Sequence, residues 1–161
     1  MFRKLLLVGL VIMNTLIAAS GRSKSAQTAG SVIGFTSAIF QVTERSGVGQ
    51  IDVVRSGDTT GTSTVDYVTN DDGAANDCAA FNAKASPHCD FNLAVGTLKF
   101  APGETVKTIG VIINRDSFIE APFETFAVNL SNPSGGATLG ANPTTSVHLT
   151  IRVLTKERGK L

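Results

Sequence analysis

The chain predicts an all-β fold, a two-sheet sandwich of seven short antiparallel strands, and three observations carry that reading. Apolar and polar residues alternate with period two, as in Val147, Leu149, Ile151 and Val153 against His148, Thr150 and Arg152. Turn formers separate such stretches at short spacing, as in Ala101-Pro102-Gly103-Glu104 and Asn132-Pro133. Beyond the N-terminal segment, no apolar spacing of helical period runs for a useful length.

In order, strands are expected over 32–43, 50–56, 63–69, 95–100, 105–113, 124–130 and 144–153. In the second, Ile51, Val53 and Arg55 share one face and Asp52 and Val54 the other. Gly96-Thr97-Leu98-Lys99-Phe100 runs into a Pro-Gly turn and out again from Thr105. Glu124-Thr125-Phe126-Ala127-Val128-Asn129-Leu130 runs into Asn132-Pro133 and then Gly135-Gly136. The inward-facing set is expected to be Phe40, Val53, Val65, Leu98, Phe100, Val111, Ile113, Phe126, Val128, Leu130 and Leu149. Short antiparallel strands with Gly, Pro, Asn and Asp between them suit two packed sheets.

With 161 residues and 42% apolar content, the chain can bury one core. A formal net charge of +1 gives no reason to expect nucleic acid or a strongly charged partner. There is no Trp and a single Tyr, Tyr67, which argues against the exposed aromatic platforms of carbohydrate binders. No G-x-S-x-G elbow, P-loop, H-E-x-x-H or Cys–His nucleophile pair occurs, so neither an enzyme nor a small-molecule substrate is expected. Glu104, Glu120 and Glu124 are the acids a glycosidase pair would draw on, but strand-edge acids are usually solvated. Glu104 belongs to a Pro-Gly-Glu-Thr turn and reads as a local hydrogen-bonding group. Asp66 and Asp90 flank strands with no convincing base or metal partner.

Residues 1–20 read as a signal peptide: Arg3 and Lys4 precede an apolar run from Leu5 to Ala19, with Ala18-Ala19-Ser20 a cleavage site. The run is short for a membrane span, which needs about 20 apolar residues, and an uncleaved membrane anchor is the alternative. The protein is therefore expected to be exported, secreted or held at the cell surface. Residues 21–31 read as a flexible linker, 32–154 as the sandwich and 155–161 as a basic tail. Cys78 and Cys89 bracket a polar, Ala-rich insertion. In an oxidising compartment a disulfide is the expected use, worth roughly 2–3 kcal/mol in the chain-entropy model. Metal binding by Cys78, His88 and Cys89 is the alternative, but adjacent His and Cys chelate poorly.

Several segments carry a family resemblance. Phe40-Gln41-Val42-Thr43-Glu44, Val53-Val54-Arg55-Ser56-Gly57 and Val65-Asp66-Tyr67-Val68-Thr69-Asn70-Asp71-Asp72-Gly73-Ala74-Ala75 come first. Gly96–Thr105 and the E-T-F stretch from Glu124 to Pro133 follow in register, from about residue 32 to 151. Together they resemble the Calx-beta domain, the calcium-binding β-sandwich of sodium–calcium exchangers and of repeated bacterial surface proteins. The resemblance implies an immunoglobulin-like sandwich and an extracellular module that binds calcium weakly and serves cell-surface interaction or cell communication. It also implies ligands: Glu44, Asp71, Asp72, Asp116 and Glu120, with the backbone carbonyl of Phe118.

The chain departs from the pattern in two places. Ile151-Arg152-Val153-Leu154-Thr155-Lys156 stands where the family usually ends in a run of Asp, and Asn114-Arg115-Asp116 stands where two adjacent acids are usual. A calcium-free structural or adhesive sandwich is the alternative. In it Glu44, Asp72, Asp116 and Glu120 would pair with Arg55, Arg115 or backbone amides. In either case the expected partner is a neighbouring domain or another protein at the cell surface.

Overall fold

Alternation along the two longest strands sets which residues turn inward. In β3 (Val48–Ser56) these are Gly49, Ile51, Val53 and Arg55, and in β7 (Phe123–Ser131) they are Glu124, Phe126, Val128 and Leu130. The computed structural model describes residues 30–71, 83–115 and 123–150. Around these strands lie β1 (Ser31–Phe35), β2 (Ile39–Thr43), β4 (Ser63–Asn70), β5 (Val95–Phe100), β6 (Val106–Ile112), β8 (Ala137–Leu139) and β9 (Thr144–Thr150). One sheet has the order β6-β3-β1-β8 and the other β2-β9-β7-β4-β5. Among the described residues no helix is long and apolar enough to cross a membrane.

The two-sheet sandwich is as expected, but two details differ. The stretch expected as one strand over 32–43 is two, β1 in the first sheet and β2 in the second. Ser37 interrupts it: its hydroxyl donates to Ile39 O at 2.7 Å and accepts from Ile39 N at 3.2 Å, a local exchange that competes with the ladder. The chain crosses between sheets there and closes one side of the sandwich. The second detail is β8, too short and too glycine-flanked to show in a periodicity. It pairs parallel with β1, as β9 does with β2, so the pairing is not antiparallel throughout.

Of the expected inward set, all are buried except Phe40 and Leu98, which pack partly buried against the core. The side chains that fill the centre include Phe91, Phe100, Phe126, Ile33, Ile51 and Ile109, all essentially inaccessible to water.

Register decides what the two ends of the sandwich carry. Val48 lies opposite Ile112, Asn70 opposite Ala127, and Thr150 opposite both Phe123 and Thr43. The β2–β3, β4–β5 and β6–β7 connections, and the chain after β9, therefore all leave from one end, called here the near end. The β3–β4, β5–β6 and β7–β8 connections leave from the far end, where Ser63 lies opposite Phe100 and Val54 opposite Val106.

Candidate functional site

The near end receives every connection that carries an expected calcium ligand. Glu44 opens a short 3-10 turn, Glu44–Ser46, that starts where β2 ends. Ser46 Oγ donates to Thr43 O at 2.7 Å, and Gly47 closes the turn at φ 69, a conformation that suits glycine. Asp71 follows the last residue of β4. Glu44 and Asp71 are both half-buried. Because β9 and β7 lie between β2 and β4, their strand ends are about 14 Å apart across the sheet at the usual interstrand spacing, and, since Asn70 is level with Ile39 and not with Thr43, staggered by a further four residues, about 13 Å, along it. Asp72, Asp116, Phe118, Glu120 and Cys78 lie outside the described residues. Among the described residues no group of three or more His, Cys, Asp or Glu is close enough together to hold a metal ion. The near end thus brings Glu44 and Asp71 to one side of the molecule without making a chelate from them alone. Their carboxylate oxygens are the donor type that a hard cation such as calcium takes, six to eight at a time.

Two acids read as solvated or unengaged are buried. Glu124 turns into the sandwich at 2% exposure, two positions before Phe126 and on the same face. The period-two alternation that put Phe126, Val128 and Leu130 inside contains the same information for Glu124. Asp90, at 3% exposure, closes a tight turn: its Oδ2 accepts from Ser86 N at 2.6 Å while Asp90 N donates to Ser86 O at 3.0 Å. The insertion around it is more than a surface loop. Phe91 is fully buried and stacks on Phe126, ring centroids 4.1 Å apart with 15° between planes. Cys89 is half-buried and is not a free thiol.

Asn114, the second residue after β6, is held by this insertion. Its amide nitrogen Nδ2 donates to His88 O and to Asn92 Oδ1, each at 3.0 Å, and its backbone N–H donates to Asp90 O at 2.9 Å. On the other side Ile113 N donates to Gly47 O at 3.0 Å, which joins this point to the Glu44 turn. Sequence reading missed these contacts because they are long-range. Asp90 and Asn114 gave no local sign of each other.

Arg55 is not a counter-ion for the expected ligands. It sits at the far end, 3% exposed, and makes four hydrogen bonds there. Its Nε donates to Ser31 Oγ at 2.9 Å, and Nη2 to the carbonyls of Asp58 at 3.0 Å and Gly61 at 2.8 Å. Nη1 reaches Ala101 O at 3.4 Å. The planar guanidinium thus ties the β3–β4 connection to the β5–β6 turn through fixed donors. Around it each acid is served locally. The Thr60 hydroxyl and then its amide hold the Asp58 carboxyl below its ordinary range. The Ala101 amide, followed by Lys107, does the same for Glu104, as its turn suggested. On β4, the Thr97 hydroxyl and then the Asn132 amide lower Asp66.

This geometry has known counterparts. The family model of the Calx-beta domain matches residues 27–152. The chain belongs to the Calx-beta family. Among solved structures, the Calx-beta sandwich here is similar to the apo-form Calx CBD1 domain, at 26% identity and a TM-score of 0.65, covering 76% of this chain and 98% of that one. It is also similar to the calcium binding domain CBD12 of CALX1.1, at 26% identity and a TM-score of 0.60, over 74% of this chain but 45% of that one. The Calx CBD2 domain shares the fold at 21% identity and a TM-score of 0.63, covering 76% of this chain and 88% of that one.

Proposed function

We propose that this Calx-beta sandwich is an exported binding module that takes calcium weakly at its near end and is not an enzyme. The observation that carries this is topological: every connection bearing an expected ligand leaves from that one end, although the residues are scattered over the sequence. In this reading Glu44, Asp71, Asp72, Asp116, Glu120 and the carbonyl of Phe118 hold the ion. When bound, calcium supplies a fixed positive charge that draws these carboxylates together, and the ordered loops then contact a neighbouring domain or protein. Residues 1–20 direct export, and Cys78 and Cys89 pair in the oxidising compartment.

Calorimetric titration of calcium into the purified, oxidised chain, beside an Asp116→Asn/Glu120→Gln variant, tests the reading. Saturable binding in the millimolar range typical of weak extracellular modules, lost in the variant, is the expected result. No heat up to several millimolar would favour the calcium-free structural or adhesive sandwich. That second reading draws on Arg115, exposed beside Asp116, and on Arg152 and Lys156 after β9.

A further inference from the structure

The insertion touches both flanks of the connection that carries Asp116 and Glu120. One foot stands on β7, just after that connection ends: Ala85 N donates to Thr125 O at 2.9 Å, and Thr125 N donates to Ala83 O at 3.1 Å. The other foot stands where the connection begins. Asn92 N donates to Ile112 O at 2.9 Å, Asn114 N donates to Asp90 O at 2.9 Å, and Asn114 Nδ2 makes its two bonds to His88 O and Asn92 Oδ1. Between the feet, Phe91 is fixed in the core against Phe126 and the Ser86–Asp90 turn is closed on itself. Two anchored feet on a buried pivot set the distance between the two flanks of the connection.

We propose that residues 83–92 are a clamp that positions the acidic connection without an ion, with Asn114 as its positioning residue. The inference deepens the cation-site reading and rests on it only where calcium enters. An ion that must order its own site loses affinity to that ordering, whereas pre-set flanks leave less of the site for the ion to order. The clamp therefore makes the near end a calcium site whose backbone flanks look alike with and without calcium. Asn114 serves as a bonding partner for the insertion at the point where the chain carries an amide and not a carboxylate.

Amide hydrogen exchange of the full oxidised chain, read over 112–115 and 123–126 in chelator and in 5 mM calcium, tests this. The amides should exchange slowly in chelator, and calcium should change their rates by less than about twofold. Asn114→Asp adds a carboxylate but removes both Nδ2 donors. In that variant exchange at 112–114 should quicken about tenfold or more in chelator and slow again with calcium. Asn92→Ala, which removes a single acceptor, should show the same pattern more weakly, and keeps the test open if the first variant folds poorly. Calcium affinity supplies a readout beyond stability: Asn114→Ala should weaken it about fivefold or more, the size of a modest coupling between sites. Calcium slowing the unaltered chain's amides about tenfold would overturn the clamp, as would Asn114→Asp exchanging like the unaltered chain in chelator. If calorimetry of the unaltered chain registers no calcium, the cation-site reading fails, and the chelator comparison alone still decides the clamp.

Discussion

The two ends of this sandwich solve the same problem, the many polar groups of strand connections, in opposite ways. At the far end a single buried arginine serves three carbonyls and a hydroxyl, and Asp58 and Glu104 find donors two and three residues away from themselves. At the near end the carboxylates stand on separate connections, and the ordering comes from a segment inserted between β4 and β5. The far end is closed by one buried side chain and by short turns. The near end depends on parts brought together by the fold.

The sharpest way to break the near end is Phe91→Ala. Removing a fully buried ring stacked on Phe126 should cost about 3–5 kcal/mol in denaturant unfolding, and it should unfasten the insertion while the far end keeps its hydrogen bonds. Its counterpart at the far end is Arg55→Met, which keeps the buried stem but leaves the carbonyls of Asp58 and Gly61 without their donor. Ser31 Oγ, which is buried, also loses its donor; at about 1–3 kcal/mol for a buried group left unpaired, and less for the half-buried Asp58 and exposed Gly61, a loss of roughly 2–4 kcal/mol is expected, with exchange quickening first in the 57–62 connection.

Gly135→Ala probes the far end by shape. A Cβ there would lie 2.2 Å from Thr62 O, on a residue at φ +66, so the turn must shift; a loss of about 1–3 kcal/mol should appear as a lower Tm. The smallest expected effect is that of acid. Asp58, Asp66 and Glu104 titrate below their ordinary values, so the stability they contribute is present above about pH 4 and is lost as pH falls through their folded-state values. All three keep contact with solvent, so the change should be small. Asp66→Asn should flatten the acid limb of a Tm–pH profile, and calcium should leave that limb unmoved.

How much of this was legible in the sequence follows the same division. The strands, the Pro-Gly turn with its Glu104 bond and the inward Arg55 are local patterns of period two or of a single turn. Glu124 was equally legible, since it shares a face with Phe126, and a general expectation about acids obscured it. The break at Ser37 and the three-residue β8 were too short to alter a periodicity. The packing of Phe91 on Phe126 and the bonds of Asn114 to His88 and Asn92 join residues more than twenty positions apart, and such contacts exist only once the sheets are assembled.

The parallel pairing of β2 with β9 has a kinetic meaning. Among the described residues β2 bonds to no other strand, and its register partners Ile39 with Ser146 and Thr43 with Thr150. A chain emerging from its N-terminus must therefore hold β2 unpaired until more than a hundred further residues are available, and non-local closure of this kind belongs to the slow range of folding. Until then Val42 has no sheet to rest on and the free edge of β7 is open. The sandwich can complete its second sheet only when β9 arrives to join β2 to β7.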